Sequence, residues 1–386
     1  IKSSAASDVY KRQIHMIGIG GISMSGIAEM LLNFGYKVSG SDAKPSGLTD
    51  RLKQNGAEIF IGQSADNIKN PDAVCYTAAI SPDNPELVKA KTLGIPVVER
   101  AVFLGALLEK YKYPIAVAGT HGKTTTSSML SLVLLAAHKD PTILIGGELS
   151  QIGGNYHIGG NEYLPFEACE YVESFLHFKP FVSIITNIEE DHLDYFKDLN
   201  HIITSFVKFA SLTNDNGCNI VCIDENTTQS IVQNVKKKAV TYALNNKNAD
   251  YTAENITLEK NGCPTFDIFN KDRKVLSVSL NVAGDHNICN ALGVTAACEF
   301  LGIEPEYIKS GLEEFRGAKR RFDRLGKTET GVDVVDDYAH HPTEILATLK
   351  AAQHSLHNSV WCVFQPHTYT RTKAFFHEFA EALSHA

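Results

Sequence analysis

Residues 116–126 read Ala-Val-Ala-Gly-Thr-His-Gly-Lys-Thr-Thr-Thr and carry the strongest local signal in the sequence. Their pattern predicts a buried strand that runs through a tight glycine turn into an apolar helix. Gly119 and Gly122 would let backbone N–H groups approach phosphate oxygens closely, and the start of the helix adds partial positive charge. Lys123 could reach the β- and γ-phosphates, and the Thr124 hydroxyl could ligate Mg²⁺. The stretch therefore predicts a short nucleotide-phosphate loop, Gly-x-x-Gly-Lys-Thr.

A second glycine turn lies near the start of the chain, where residues 18–23 read Gly-Ile-Gly-Gly-Ile-Ser. It half-matches the dinucleotide fingerprint G-x-G-x-x-G, with Ser23 in place of the third glycine. Asp42 stands at the end of the next predicted strand, where an acidic residue would meet an adenine ribose. The residues alone leave an NAD site and a UDP-sugar site open, because either diphosphate can rest on a helix N-terminus.

Two further residues are candidates for a metal site beside the phosphate loop. Glu167 follows the strand-like residues 163–166, and His192 follows a predicted strand over residues 182–186. Both would lie at the carboxyl ends of strands, where α/β proteins bind ligands. A carboxylate and an imidazole there could hold a metal ion next to the γ-phosphate. The residues alone equally allow His192 to cap a helix among solvated acidic neighbours.

Strand-like and helix-like segments alternate along most of the chain, which predicts parallel sheets covered by helices and an α/β fold class. Residues 1–13 show no pattern and are left unassigned, as an arm or an artefact. The alternation predicts domains over residues 14–112, 113–323 and 324–386. The third domain is expected to be incomplete, because the chain stops inside a helix predicted for residues 372–386.

Three predictions concern the later part of the chain. Residues 251–280 are predicted to form a β-rich insertion, and the basic, glycine-containing residues 316–326 a linker. A strand is predicted at residues 359–364 within the third domain.

Composition narrows the class of protein. Hydrophobic residues make up 44% of the 386 residues, which is enough for packed cores. The formal net charge is −8 without a long basic run, which argues against nucleic-acid and membrane-surface partners. No secretion signal or membrane-length apolar run is visible, and the eight cysteines form no C-x-x-C pair, so they are predicted to be reduced thiols of a cytoplasmic protein.

The two glycine turns, in this order, are similar to those of the Mur ligase family, and the resemblance covers roughly residues 14–386. It is also carried by residues 80–86 (Ile-Ser-Pro-Asp-Asn-Pro-Glu), 167–170 (Glu-Ala-Cys-Glu), 174–176 (Ser-Phe-Leu), 186–192 (Thr-Asn-Ile-Glu-Glu-Asp-His), 284–290 (Gly-Asp-His-Asn-Ile-Cys-Asn), 315–322 (Phe-Arg-Gly-Ala-Lys-Arg-Arg-Phe), 336–342 (Asp-Asp-Tyr-Ala-His-His-Pro), 364–367 (Phe-Gln-Pro-His) and Arg371.

The resemblance implies three domains: a Rossmann-like UDP-sugar domain, a P-loop ATPase-like central domain, and a Rossmann-like domain for the amino acid. It implies a ligase of peptidoglycan precursor synthesis that forms a carbon–nitrogen bond with ATP and Mg²⁺. The carboxylate of UDP-N-acetylmuramate would attack the γ-phosphate of ATP, and the amine of L-alanine would then attack the resulting acyl phosphate, releasing ADP and phosphate.

The first block is most similar to the alanine-adding branch of the family. Three alternatives stay open: a family member that adds a recycled tripeptide to the same UDP-sugar, an NAD-dependent oxidoreductase, and a non-catalytic nucleotide-binding fragment. Several family members use a carbamylated lysine after the metal histidine; Lys208 is close to that position but is not expected to serve.

The resemblance also implies roles for individual residues. Lys123, Glu167 and His192 would be catalytic, and Thr124, Glu167 and His192 would hold the metal. The implied ATP-binding residues are Gly119, Thr120, His121, Gly122, Lys123, Thr124, Thr125, His286, Asn287, Asn290, Arg321 and Asp337. The implied UDP-sugar-binding residues are Gly18, Ile19, Gly20, Gly21, Ser41, Asp42 and Ser81. The implied substrate-site residues of the third domain are His340, His341 and Arg371.

Overall fold

The computed structural model describes residues 12–353 and 358–386. These residues form two compact units: residues 12–110 with 155–159, and residues 111–154 with the described part of 160–386. Most of the unassigned stretch 1–13 lies outside the described residues, and Gln13 already begins the first strand.

The first unit is built on a parallel five-stranded sheet with the order β3-β2-β1-β4-β5. Its strands are β1 (Gln13–Ile17), β2 (Lys37–Asp42), β3 (Glu58–Ile61), β4 (Ala73–Tyr76) and β5 (Val97–Glu99). Its helices are α1 (Ile22–Asn33), α2 (Gly47–Gln54), α3 (Pro85–Thr92) and α4 (Arg100–Leu108). Gly35 has φ +80° just after α1, the left-handed conformation in which glycine commonly ends a helix.

Residues 155–159 also belong to the first unit, although the chain before and after them belongs to the second unit. A short strand, β8 (Gly154–His157), supplies two of the side chains that fix this segment. The Asn155 amide donates to the Ile22 carbonyl at 3.0 Å, and the Tyr156 hydroxyl donates to Glu29 Oε1 at 3.1 Å. Both partners lie on α1, so the segment is fastened to the helix that follows the first glycine turn.

The second unit contains a larger sheet, in which the order β15-β14-β13-β12-β11-β10-β6-β9-β7 includes the strand before the phosphate loop. Its strands are β6 (Tyr113–Ala118), β7 (Ile143–Leu149), β9 (Tyr163–Glu167), β10 (Val182–Ile185), β11 (Cys218–Cys222), β12 (Ala239–Ala243), β13 (Tyr251–Leu258), β14 (Pro264–Asn270) and β15 (Arg273–Ser279). Its helices up to residue 314 are α5 (Lys123–Ala136), α6 (Leu199–Ser211), α7 (Asn226–Asn234), α8 (Asp285–Phe300) and α9 (Pro305–Glu314).

The β-rich stretch predicted over residues 251–280 forms strands but is not separate from the main sheet. β13 pairs in parallel with β12, and β14 and β15 then extend the same sheet in antiparallel order. The strands around β6 are parallel, so their carboxyl ends share one edge of the sheet. That edge holds the phosphate loop and the residues after β9, β10 and β11.

Helix α5 is buried almost throughout, because α8, α9 and the sheet surround it. Gly311 of α9 allows the closest approach, since a Cβ atom there would collide with the backbone of Val133. Buried apolar residues of the sheet and helices, such as Val117, Leu130 and Ile184, fill this core. The start of α5 is therefore fixed on a rigid frame, as a phosphate site requires.

The chain after residue 316 corrects three predictions. The linker predicted for residues 316–326 ends early, because β16 (Asp323–Lys327) pairs in antiparallel register with β17 (Asp333–Asp336). Helix α10 (Pro342–Gln353) follows β17. The single helix predicted for residues 372–386 is two, α11 (Tyr369–Ala374) and α12 (Phe376–Leu383).

The break between these two helices has a local cause. Phe375 leaves the helical conformation at φ −110° and ψ 32°, and its ring lies 5.1 Å from that of His341. Beyond it, Phe379 packs with Ile345 and Leu349 of α10. The contact with His341 and the packing on α10 together define the bend.

The strand predicted for residues 359–364 is wrong. The segment is irregular, with Trp361 89% exposed and Val363 fully exposed. Within residues 12–353 and 358–386 no strand pairs with it, and an extended segment without a partner gains no ladder hydrogen bonds.

Two broader predictions concern membranes and cysteines. Of the helices in the described stretches, none is long and apolar enough to cross a bilayer. All eight cysteines lie in these stretches, and each is a free thiol, as predicted.

Candidate active site

The predicted phosphate loop joins β6 to α5 and is shaped by two glycines. Gly119 and Gly122 have φ +146° and +83°, conformations that favour glycine. A Cβ atom on Gly119 would collide with the Thr186 hydroxyl. The His121 amide donates to Asn187 Oδ1 at 2.8 Å, and Thr186 Oγ1 donates to the His121 carbonyl at 2.6 Å. Thr186 and Asn187, which follow β10, therefore fix the position of the loop through hydrogen bonds.

Lys123, the first residue of α5, is folded back over its own loop. Its ammonium donates to the carbonyls of Gly119 and Thr120 and to Glu170, with Nζ 3.0 Å from Glu170 Oε2. Burial alone would lower the pKa of Lys123, but Glu170 outweighs it and raises that pKa above its usual value. Lys123 is therefore a charged group with a buried counter-ion, available to exchange Glu170 for a phosphate.

The sequence analysis missed Glu170 as a site residue. It lies only three positions after Glu167, in the same family-like segment, so the signal was present but gave no reason to choose both carboxylates. Glu170 is 3% exposed and its Oε1 lies 3.8 Å from His192 Nε2. The structure thus brings Lys123 and His192, two of the three predicted catalytic residues, to one buried carboxylate.

The predicted metal ligands approach the same region from different strands. Glu167 ends β9, and its Oε1 accepts from the Gly146 amide at 2.5 Å and from Ser127 Oγ of α5 at 3.4 Å. Thr124 lies one turn before Ser127 in that helix. His192 packs against Tyr171, with ring centroids 4.6 Å apart and the ring planes tilted by 34°.

Backbone strain accompanies these groups. His192, Val172 and Glu173 have φ of 53°, 50° and 55°, which is unusual for residues other than glycine and costs on the order of 1–3 kcal/mol each. Glu173 stabilises its segment by accepting from Ser205 Oγ of α6 at 2.9 Å. Lys208, which is 56% exposed, lies 3.7 Å from the same carboxylate, on the outer side of this segment.

A second charged cluster surrounds His121. Its Nδ1 lies 3.2 Å from Glu344 of α10, and its Nε2 lies 3.7 Å from Glu189. Burial alone would lower the pKa of His121, but the two carboxylates raise it to about 9. His341 packs beside His121 with 4.7 Å between ring centroids, and Thr343 donates to Glu189 at 2.6 Å. Glu189 and Glu344 were not predicted, because only the fold brings them to the loop.

A cavity of about 530 Å³ opens beside the loop, a volume in the range of small-molecule sites. All the predicted ATP-binding residues except Gly119, Thr120 and Lys123 line it: His121, Gly122, Thr124, Thr125, His286, Asn287, Asn290, Arg321 and Asp337. The structure therefore brings together side chains from the loop, from the start of α8 and from the chain after residue 316.

Burial shifts the pKa of two of these lining residues, His286 and Asp337. Burial lowers the pKa of His286, which favours a neutral imidazole at the start of α8. Asp337 accepts from the Phe322 and Ala339 amides, both at 2.7 Å, so it also holds the backbone of its own region. Burial nevertheless raises the pKa of Asp337.

Two of the three predicted residues of the third domain, His341 and Arg371, reach the loop after β10, whereas His340 contacts Glu344 of α10. Arg371 donates to Asp191, with Nη2 2.8 Å from Oδ1, and His341 Nε2 donates to the Glu190 carbonyl at 3.1 Å. The His340 amide donates to Glu344 at 3.0 Å. Arg371 is therefore occupied by an internal carboxylate in this structure.

The first glycine turn, in the first unit, uses most of its amides internally. The Gly18 and Ile19 amides donate to the Ser41 carbonyl at 2.8 and 3.0 Å, and the Gly20 amide donates to Asp42 Oδ2 at 2.9 Å. A Cβ atom on Gly20 would lie 2.9 Å from that same oxygen. Gly21 directly precedes α1, whose first-turn amides are the ones left for a diphosphate.

Side chains around this turn divide into buried and accessible groups. The Ser41 hydroxyl is buried and donates to Glu86 at 2.6 Å, so it positions the turn rather than facing a ligand. Ser81 is exposed and donates to Asp83. Arg100, which the sequence analysis missed, donates to Ser23 Oγ at 3.1 Å and places a cation at the start of α1.

Comparison with known proteins agrees with this geometry. The sequence matches three consecutive family descriptions: "Mur ligase family, catalytic domain" over residues 13–112, "Mur ligase middle domain" over residues 117–298, and "Mur ligase, glutamate ligase domain" over residues 320–386. It is 53% identical over 371 residues to the UDP-N-acetylmuramate–L-alanine ligase of Acetivibrio thermocellus, covering 96% of this chain and 79% of that one. The ligase of the same name from Clostridium perfringens is 50% identical, with 96% and 80% covered.

Solved structures show the same fold. The crystal structure of the UDP-N-acetylmuramate–alanine ligase of Thermotoga maritima has a TM-score of 0.82 and 34% identity, covering 97% of this chain and 83% of that one. A murein peptide ligase from Psychrobacter arcticus has a TM-score of 0.74 and 27% identity, covering 89% and 76%. The predicted α/β class and three-domain fold are confirmed, and the chain belongs to the Mur ligase family.

Proposed function

We propose that this chain ligates L-alanine to the carboxylate of UDP-N-acetylmuramate with ATP, a step of peptidoglycan precursor synthesis. The observation that carries the proposal is the 53% identity, across 96% of the chain, to a relative named for this reaction. In this account residues 14–112 bind the UDP-sugar, residues 113–323 bind ATP, and residues 324–386 contribute to the amino-acid site.

The chemistry explains why ATP is needed. A free carboxylate is a poor acyl donor, so its oxygen first attacks the γ-phosphate of ATP and releases ADP. The amine of L-alanine then adds to the acyl phosphate carbonyl, loses a proton, and expels phosphate as the amide bond forms. The chain's main contribution is positioning and charge stabilisation, as in other phosphoryl transfers.

Lys123 is the central cation in this proposal. In the structure its ammonium is 3.0 Å from Glu170, at the end of the phosphate loop. When ATP binds, the ammonium would move from Glu170 to the γ-phosphate and offset the negative charge that accumulates there. Glu170 then remains close to His192.

We assign the magnesium site to Thr124, Glu167 and His192. The donor chemistry fits, because hydroxyl, carboxylate and imidazole are all metal ligands. Among the described residues, Glu167 Oε2 and His192 Nδ1 make no hydrogen bond, while His192 Nε2 lies 3.8 Å from both Glu170 Oε1 and Asp191 Oδ2. A bound Mg²⁺ would neutralise phosphate charge and orient the γ-phosphate.

The second candidate is murein peptide ligation, favoured by the likeness to the Psychrobacter arcticus structure. That likeness is weaker in TM-score, identity and coverage than the likeness to the alanine-adding ligase of Thermotoga maritima. The two functions differ in the amine that attacks the same acyl phosphate.

Phosphate release separates the two functions. The chain is incubated with ATP, Mg²⁺ and UDP-N-acetylmuramate, and either L-alanine or the tripeptide L-alanyl-γ-D-glutamyl-meso-diaminopimelate is added. We expect release with L-alanine only, and none from Lys123→Ala. Release with the tripeptide alone would replace our proposal by murein peptide ligation, and release without any amine would indicate simple ATP hydrolysis.

A further inference from the structure

Two thiols and a carboxylate meet in the wall of the cavity beside the phosphate loop. Cys222 ends β11, Asp224 follows two residues later, and Cys289 lies in α8. The two Sγ atoms are 3.5 Å apart, and they lie 3.9 and 4.0 Å from Asp224 Oδ2. All three residues line the cavity, yet none has a role in the proposed ligation.

The spacing of these three atoms resembles the edges of a tetrahedral zinc site. Zinc lies about 2.3 Å from thiolate sulfur and about 2.0 Å from carboxylate oxygen. Tetrahedral angles then require about 3.8 Å between two sulfurs and about 3.5 Å between sulfur and oxygen. The observed distances differ from these by about 0.5 Å or less, a shift that side-chain rotation can supply.

The carboxylate is already oriented by the backbone. Asp224 Oδ2 accepts from the Leu244 amide at 2.8 Å, and Oδ1 accepts from the Asn245 and Asn246 amides at 2.8 and 3.0 Å. These bonds fix the direction of the carboxylate, while Oδ2 keeps a lone pair on the side of the thiols. Such outer hydrogen bonds are typical of metal-ligand carboxylates.

The surrounding charge favours a cation over a bare thiolate. Contact with Cys222, burial and the carboxylates of Asp224 and Glu225 raise the pKa of Cys289 well above its usual value. Glu225 itself has a raised pKa, because it is buried and faces Glu189. A divalent cation between the two sulfurs would be attracted by the Asp224 carboxylate, whose Oδ2 lies within 4.0 Å of both sulfurs.

We propose that Cys222, Asp224 and Cys289 form a binding site for a soft divalent cation such as Zn²⁺, with a cavity water as fourth ligand. Binding replaces the proton of each thiol by a bond to the metal and releases both protons to solvent, so no oxidant or reductant takes part. Two sulfur ligands favour Zn²⁺ and Cd²⁺ over Mg²⁺, which distinguishes this site from the proposed magnesium site. The site itself does not depend on the proposed ligase function.

The test titrates the full chain with Co²⁺ and then Zn²⁺, under a phosphine reductant and without oxygen or nucleotide. Co²⁺ bound by two thiolates in tetrahedral geometry gives visible ligand-field bands and a sulfur-to-metal charge-transfer band. We expect these bands to saturate at one equivalent and to disappear when Zn²⁺ displaces Co²⁺. We also expect release of two protons for each metal ion bound.

Single substitutions identify the residues that bind the metal ion. Cys289→Ser should abolish the charge-transfer band of a two-thiolate site, and Asp224→Asn should weaken Zn²⁺ binding about 10- to 100-fold. The matched control is Cys263→Ser, because Cys263 also lines the cavity; it should change neither result. Circular dichroism identifies variants that do not fold, and Cys222→Ser then replaces such a variant.

The proposal is overturned if wild-type chain gives no charge-transfer band. It is also overturned if folded Cys289→Ser binds Zn²⁺ as tightly as wild type, or if Cys263→Ser loses the band instead.

Discussion

Arg371 binds Asp191 with two nitrogens: Nε and Nη2 lie 2.9 and 2.8 Å from Oδ1, and Nη2 lies 3.1 Å from Oδ2. Each side chain is only 9% exposed. Asp191 directly precedes His192, and Arg371 lies in α11, so the pair connects the C-terminal helices to the proposed metal ligand. Burial alone would raise the pKa of Asp191, but His192 and Arg371 lower it.

We predict that Arg371→Met destabilises the second unit by about 3–5 kcal/mol, because Asp191 is left as a buried, unpaired carboxylate. The double variant Arg371→Met with Asp191→Asn should lose less than the sum of the single variants. Urea denaturation of the three variants measures the coupling energy.

The control is Glu162→Gln, whose partner Lys112 is 2.9 Å away but exposed, and it should cost no more than about 1 kcal/mol. Strictly additive losses would show that Arg371 and Asp191 act independently.

We predict that Lys123→Ala lowers phosphate release by a factor of at least about 10²–10³, because the γ-phosphate loses its central cation. Calorimetric titration should show unchanged binding of UDP-N-acetylmuramate, since the first glycine turn belongs to the other unit. Lys208→Ala is the matched control. It should keep near-normal turnover, because Lys208 is 56% exposed and paired with Glu173. Near-normal turnover of Lys123→Ala, or loss of turnover in Lys208→Ala, would reverse these assignments.

We predict that Glu86→Gln destabilises the first unit by about 1–3 kcal/mol at neutral pH, because an amide cannot accept all the hydrogen bonds that the carboxylate accepts. Glu86 is fully buried and accepts from Ser41 at 2.6 Å and from Asn67 at 2.5 Å, with His15 at 3.3 Å. The control is Glu58→Gln, a half-exposed carboxylate that pairs with Lys69. It should change stability by about 0.5 kcal/mol or less.

The same carboxylate predicts a pH dependence. Burial alone would raise the pKa of Glu86, but the hydrogen bonds from His15, Ser41 and Asn67 lower it below its ordinary value of 4.5. Its stabilisation is therefore present above pH 4.5 and is lost as pH falls through the lower folded-state pKa. The melting temperatures of wild type and Glu86→Gln should converge on acidification, and a gap that stays constant down to full protonation would contradict this.

His121 predicts a loss of stability on the alkaline side. Its folded-state pKa of about 9 lies above the ordinary 6.5, so its contribution is complete below pH 6.5 and disappears as pH rises through about 9. The difference corresponds to about 3 kcal/mol at most. Melting temperatures of wild type and His121→Gln should converge between pH 7 and pH 10. Glu344→Gln removes one of the two carboxylates, so it should move this loss to lower pH; an unchanged profile would show that Glu344 does not act on His121.

The sequence predicted the parts of the site that one short segment encodes. The turn of Gly119 and Gly122 and the position of Lys123 follow from a local pattern of glycine, lysine and apolar residues. Arg100 and Glu344 contact the two glycine turns only because distant segments fold back, and no local pattern marks such residues.

The dependence on contacts between distant segments also explains the predictions that were wrong or incomplete. Residues 359–364 have strand-like composition, but a strand also needs a neighbour, and residues 12–353 and 358–386 provide none. Glu167 and Glu170 were equally visible in the sequence. Only the three-dimensional structure shows that Glu170 is the buried partner of Lys123.

The central claim is that the carboxylate of UDP-N-acetylmuramate is activated by ATP and captured by L-alanine on this chain. Its most direct test supplies UDP-N-acetylmuramate labelled with oxygen-18 in the carboxylate, together with ATP, Mg²⁺ and L-alanine, and analyses the products by mass spectrometry. We predict UDP-N-acetylmuramoyl-L-alanine and phosphate that carries one labelled oxygen, because the carboxylate oxygen that attacks the γ-phosphate leaves with it. Unlabelled phosphate, or no amide product from a folded chain that binds both nucleotides, would contradict the claim.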